Sequence, residues 1–245
     1  MNIETPAIVC ALRTHAEHGA VVRLMTPKDG VQAAYVRGAR GRRMRPVLVP
    51  GNLVQARLRS RTEEQLAHAE IELVHSRAPL LSEPLPASVI DWVTALTATA
   101  LPEAQPFPRL YDALDALLAL IEAAPSALGW ASLLVRYELL LLAELGFGLD
   151  LERCAVNGSN DDLVAVSPRS GRAVSAAEAE PYAGRLLPLP RFVREGGGAN
   201  WTDVRDGLEL SGHFLQRDVL AGRSVGLAEA RSRLVERLLR AGGLI

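Results

Sequence analysis

Cysteine is nearly missing from this chain: Cys10 and Cys154 are its only two, and they stand far apart. That argues against a disulfide framework and for a reducing compartment, so a cytoplasmic, nucleoid-associated location is expected. Long hydrophobic runs are also missing. The most apolar one, 133–151, is interrupted by Arg136, Glu138 and Glu144, which leaves it too short and too charged to span a bilayer. The first residues, MNIETPAIVCAL, hold an early acid and no basic stretch, so they do not read as a signal peptide. Catalytic signatures are absent as well. There is no Gly-x-Ser-x-Gly elbow, no phosphate-cradling loop ending in Lys-Ser/Thr and no His-Glu-x-x-His. His15 and His18 flank Glu17 without a further convergent ligand, and His68, His75 and His213 are isolated. Cys154 lacks the basic surroundings that would activate a thiol. What remains is a binding protein rather than an enzyme, with no metal, no cofactor and no membrane partner expected.

What the chain does have is basic charge in one place. Between Arg13 and Arg61 lie eleven basic residues (Arg13, Arg23, Lys28, Arg37, Arg40, Arg42, Arg43, Arg45, Arg57, Arg59 and Arg61) and two acids, Glu17 and Asp29. That local balance of +9 stands in a protein of net charge −1. Such asymmetry is the footprint of a polyanion ligand, and nucleic acid is the commonest. Residues 1–77 are net +5 and residues 78–245 net −6. Pro79, Pro84 and Pro86 punctuate the border, so two domains are expected, 1–78 and 79–245.

The first part reads as short strands at 7–12, 20–26, 31–37, 48–59 and 66–75. Pro27 and Gly30 mark a hairpin between the second and third. Along 53–61 the period is two: Val54, Ala56 and Leu58 share one face, while Gln55, Arg57, Arg59 and Arg61 share the other. About five short strands suit a small Greek-key barrel such as an OB-fold, and an SH3-like barrel fits the pattern nearly as well. Segment 37–45 reads as a glycine-broken loop whose five arginines suit phosphates, since guanidinium binds them bidentately. Gly38-x-x-Gly41 also matches the phosphate-clamping loop of KH domains, but here it follows a strand, not a helix.

The second part reads as helices at 89–100, 109–123, 128–145, 204–221 and 227–240, the last capped by Ser224. An irregular insert lies near 152–195. The fold class is therefore α+β: a small β-barrel followed by a mainly α-helical domain. On these residues alone, any OB-fold RNA- or DNA-binding module with a helical appendage remains open.

Three blocks resemble the bacterial RecO family of recombination mediators. The first is AVVRLMTPKDG at 20–30 with VRGAR at 36–40; the second is RYELLLLAELGFGLD at 136–150 followed by Cys154; the third is VSPRSGRAV at 166–174. The resemblance implies an N-terminal OB-fold, binding of single- and double-stranded DNA, annealing of complementary strands, and help in loading RecA onto SSB-coated DNA with RecR. It implies a site for the SSB C-terminal tail too, with RecF and RecA as indirect partners. Arg136, Tyr137 and Arg109 are the candidates for that tail. The family's lysine in its Lys-Gly-Ala-Arg block is Arg37 here. Some members hold zinc through two Cys-x-x-Cys pairs; the corresponding positions here are Cys154, Asn157, Ser175 and Glu178, so no zinc is expected.

Overall fold

In the computed structural model, which describes residues 2–15, 17–62, 65–124, 126–222 and 225–245, five strands close into a barrel. They are β1 (Asn2–His15), β2 (Gly19–Thr26), β3 (Gly30–Val36), β4 (Leu53–Arg59) and β5 (Ala67–His75). The order round the barrel is β1-β2-β3-β5-β4, with β3 and β5 parallel and the other pairs antiparallel. This is the OB-like alternative of the two left open by the pattern.

β1 is longer than its apolar stretch suggests because it serves two partners. Residues 2–8 pair with β4 and residues 8–15 with β2, with a register shift between Val9 and Ala11. Such an irregularity bends a strand, which is how one strand can contribute to both edges of a closure. Inward side chains alternate as expected, and Val9, Val22, Leu24, Val54 and Leu58 meet in a common apolar core. β4 starts at Leu53 rather than 48 because Asn52 ends a turn. Its buried amide donates to the carbonyls of Pro46 (2.9 Å) and Val47 (3.1 Å) and accepts from the backbone N–H of Arg77 (2.8 Å). A buried amide held at each of its atoms fixes the chain there.

The chain divides into two compact units, Met1–Glu122 and Ala123–Ile245. The domain border expected at 78/79 thus falls inside the first unit, which adds α1 (Pro84–Ala100) and α2 (Pro108–Ala123) to the barrel. α1 begins earlier than the apolar spacing indicates, since proline suits the first turn, where no intrahelical N–H is needed. Arg77 links barrel and α2. It is buried, donates to the Gly51 carbonyl (2.7 Å) and pairs with Asp115 (3.1 Å).

In the second unit α3 (Ala127–Glu144) packs against α6 (Trp201–Phe214) and α7 (Val225–Ala241). Between them in sequence are a small sheet, β6 (Leu163–Val166), β7 (Ala173–Ser175) and β8 (Leu187–Pro188), and the short helices α4 (Ala176–Ala179) and α5 (Arg191–Glu195). α6 starts at a capping box made by Asn200 and Asp203, and past Phe214 the chain widens into π-helical turns over 215–220. Ser224, read as the cap of the last helix, lies outside the described residues. Glu138, an apparent interruption of the apolar run, is fully buried: its carboxylate accepts from Arg231 (2.7 Å) and from the Ser211 hydroxyl (2.5 Å), tying α3, α6 and α7 together. Among the described residues no helix is long and apolar enough to cross a membrane.

Candidate nucleic-acid interface

The arginine-rich segment is more ordered than a glycine-broken loop. After β3 it runs through consecutive turns: Gly41 N–H donates to Gly38 O, Arg45 to Gly41 O, and Leu48 to Met44 O. Ala39 and Leu48 are buried in the barrel core, with Met44 and Val47 packed against it. These apolar anchors stand at 39, 44, 47 and 48, and the side chains between them must face water. Arg37, Arg40, Arg42, Arg43 and Arg45 are accordingly exposed. Arg40 also reaches the carbonyl of Glu17 (3.4 Å), which sets the segment beside the tip of the β1–β2 hairpin. Gly38 and Gly41 form one tight turn after a strand.

The other basic candidates divide. Arg13, Arg59 and Arg61 are exposed, and Lys28 is exposed at the β2–β3 turn. Arg57 is engaged: Glu4, its register partner on β1, meets the guanidinium at 3.1 and 3.2 Å and raises its pKa, while Glu70 stands opposite on β5. Arg23 is paired with Glu103 at 3.0 Å. The carboxylates that neutralise them come from distant sequence, so local charge counting misses them. The surface rich in available guanidinium groups is therefore the 37–45 segment with Arg13, Arg59 and Arg61.

The tail candidates also separate. Tyr137 is buried, 1% exposed, and points into the helical core. Arg109 is exposed at the start of α2, in the first unit. Arg136 lies in the second unit, half-buried at the rim of a cavity of about 290 Å³ lined also by Leu139, Leu140, Ala143, Leu149 and Val193. Its guanidinium donates to the carbonyls of Phe192 and Gly197, both at 3.1 Å, and lies 5.7 Å from the centre of the Phe192 ring. Leu139 and Leu140, in the most apolar stretch of the sequence, face this cavity.

The four positions that correspond to zinc ligands do come together. Ser175 donates to Cys154 Sγ through its backbone N–H (3.4 Å) and its hydroxyl (3.5 Å), and Asn157 donates to Glu178 (3.3 Å). Burial pushes the Cys154 thiol up, but hydrogen bonds from Ser175 and from the backbone of Asn157, Ser175 and Val156 outweigh it and lower its pKa to about 7. One thiol with a hydroxyl, an amide and a carboxylate is not the thiolate-rich, four-ligand set of a structural zinc site. Hydrogen bonds make the closure that a metal would make. Cys10 is buried in the barrel, and burial pushes its thiol up to about 12.

Two family models match the chain: recombination protein O N terminal over residues 1–77 and recombination protein O C terminal over residues 84–224. The DNA repair protein RecO of Phenylobacterium zucineum is 45% identical over the whole of both chains. That of Caulobacter vibrioides (strain NA1000 / CB15N) is 43% identical, again over the whole of both. That of Rhodospirillum rubrum is 46% identical, covering 95% of this chain and 94% of its own. With both halves matched and the relatives matched end to end, the chain belongs to the RecO family of DNA repair proteins.

Proposed function

We propose that this protein is a non-enzymatic, cytoplasmic factor of recombinational repair. It binds single- and double-stranded DNA, anneals complementary strands and, with RecR, helps load RecA onto SSB-coated single strands. The observation that carries this reading is the exposed set Arg37, Arg40, Arg42, Arg43 and Arg45, projected by buried anchors beside the hairpin tip. A rigid row of guanidinium groups engages phosphates without the full ordering entropy of a disordered tail. Having no base-specific partner in view, it favours backbone recognition, which suits annealing of any sequence. DNA binding belongs to residues 1–78, and partner capture to 79–245.

The cavity beside Arg136 supports the second part of the proposal. An SSB tail is acidic and ends in an apolar residue. Leucine and valine walls with one guanidinium at the rim have the chemistry to hold it. The decisive assay is annealing of two complementary oligonucleotides, one of them coated with SSB. Acceleration over the spontaneous rate supports the proposal. No acceleration, with the oligonucleotides still bound, leaves a plain nucleic-acid-binding module.

A further inference from the structure

Residues 1–77 contain a single Phe, Trp or Tyr, and that residue, Tyr35, stands outside the barrel core. It points outward from β3 between Ala34 and Val36, which are buried. His68, its register partner on β5, meets it edge-to-face with ring centres 5.5 Å apart. On the other side His15 of β1 meets it edge-to-face at 5.9 Å. Between them β2 contributes Gly19, the register partner of His15, and a Cβ at Gly19 would collide with the Tyr35 ring and its hydroxyl oxygen. The missing side chain is what lets the phenol ring lie over β2 toward His15.

Three rings thus form a row across the barrel exterior, with guanidinium groups at its margins. Arg13 precedes His15 by two residues and Arg37 follows Tyr35 by two, while Arg59 is the register partner of His68; all three are exposed. The remainder of the β2–β3 face is screened. Glu103 bridges to Val31 and pairs with Arg23, and a Cβ at Gly30 would run into the carbonyl of Gln105. The open half of that face is the half that carries the rings. The face formed by strands two and three, flanked by the first and last interstrand loops, is where barrels of this topology hold single strands.

We propose that His15, Tyr35 and His68 form a base-stacking platform for single-stranded nucleic acid, with Arg13, Arg37 and Arg59 holding the flanking phosphates. This rests on the DNA-binding reading above and adds to it a contact with the bases. An outward aromatic ring contributes nothing to the barrel core, whereas a base stacked on one gains about 1–3 kcal/mol whatever its identity. Sequence-tolerant stacking is what a strand-annealing surface requires.

The test is fluorescence anisotropy with a labelled thymidine oligomer and an abasic oligomer of the same length, for wild type, Tyr35→Leu, Tyr35→Trp and His68→Ala. Wild type should prefer the base-bearing strand. Tyr35→Leu should lose about 5- to 150-fold on that strand and little on the abasic one, with an unchanged salt slope. Tyr35→Trp should keep the preference, and its added indole fluorescence should change on binding. His68→Ala removes an exposed side chain and leaves the fold intact, so it should show a smaller loss on the same strand only. Equal wild-type affinity for the two oligomers overturns the platform while leaving DNA binding in place. Loss by Tyr35→Leu on both strands alike, with His68→Ala unchanged, overturns it too. Wild type that binds neither oligomer overturns the platform and the DNA-binding reading together.

Discussion

At the scale of single residues, what separates the arginines is the company each keeps. Arg40, Arg42 and Arg43 are exposed in the ordered turns after β3, whereas Arg57 faces Glu4 at 3.1 Å with Glu70 opposite. The triple variant Arg40→Ala, Arg42→Ala, Arg43→Ala should weaken binding of all sequences alike. It should also flatten the salt dependence, by about 0.7–0.9 in log–log slope for each single-strand or duplex phosphate that is no longer neutralised. Arg57→Ala should change affinity far less, because the group it removes is already committed to a carboxylate. Titrating oligonucleotide binding between low and moderate salt measures both effects, and equal losses in the two variants would contradict the assignment. Glu138 offers a test of stability. Glu138→Ala takes the carboxylate away from the Arg231 guanidinium in a largely buried place, for which about 3–5 kcal/mol of destabilisation is the usual cost. Denaturant unfolding of the variant should show it; a change below about 1 kcal/mol would mean that water reaches the site.

At the scale of elements, period and apolar spacing found the strands and most helices, because they report which face of a segment is buried. The ends were less visible. β1 extends to Asn2 since its first residues pair with β4, a partner more than fifty residues away that no local pattern encodes. Likewise α6 begins at Trp201, where Asn200 caps it, ahead of its first inward residue, Val204. The candidate site was legible in its charge and not in its pairing: the sequence shows the run of arginines at 37–45, and it does not show that Glu4 pairs with Arg57 or Glu103 with Arg23. Tyr137 was misleading, since in the apolar α3 its ring turns inward. The insert illustrates a further limit. Cys154, Asn157, Ser175 and Glu178 sit at positions suited to a metal, yet they close on one another by hydrogen bonds. Purified protein should hold no stoichiometric zinc and should melt at the same temperature with and without chelator, because a structural metal would add its binding free energy to folding. One zinc per chain by elemental analysis would refute that. Although the Cys154 thiol is shifted down to about 7, it is fully buried, so access and not ionisation should limit its reaction. A thiol reagent at pH 8 should therefore label the native chain slowly and reach two thiols only on unfolding.

At the scale of the whole molecule, the proposed function reads the charge division as a division of labour: a net-positive barrel suits phosphates, and a net-acidic remainder is a poor surface for DNA. An acidic peptide approaching that remainder needs a local basic group, and Arg136 supplies one beside apolar walls. Its ties to the Phe192 and Gly197 carbonyls hold the guanidinium in place and leave its charge uncompensated, since carbonyls are neutral acceptors. A fixed charge at the rim loses little side-chain entropy when a carboxylate arrives. Arg136→Glu should therefore abolish binding of a peptide with the SSB tail sequence, by replacing attraction with repulsion and leaving the apolar walls intact. Naked-DNA affinity should be unchanged, because the arginine cluster belongs to the other compact unit. The measurement belongs at low salt, where a single charge is least screened. Equal peptide affinity in mutant and wild type would place the tail elsewhere. Parallel loss of peptide and DNA binding would show that the substitution had unfolded the chain, and Arg136→Gln then separates the two: it keeps much of the length and hydrogen-bonding capacity of the side chain and removes the charge, so peptide binding should weaken while the melting temperature stays at the wild-type value.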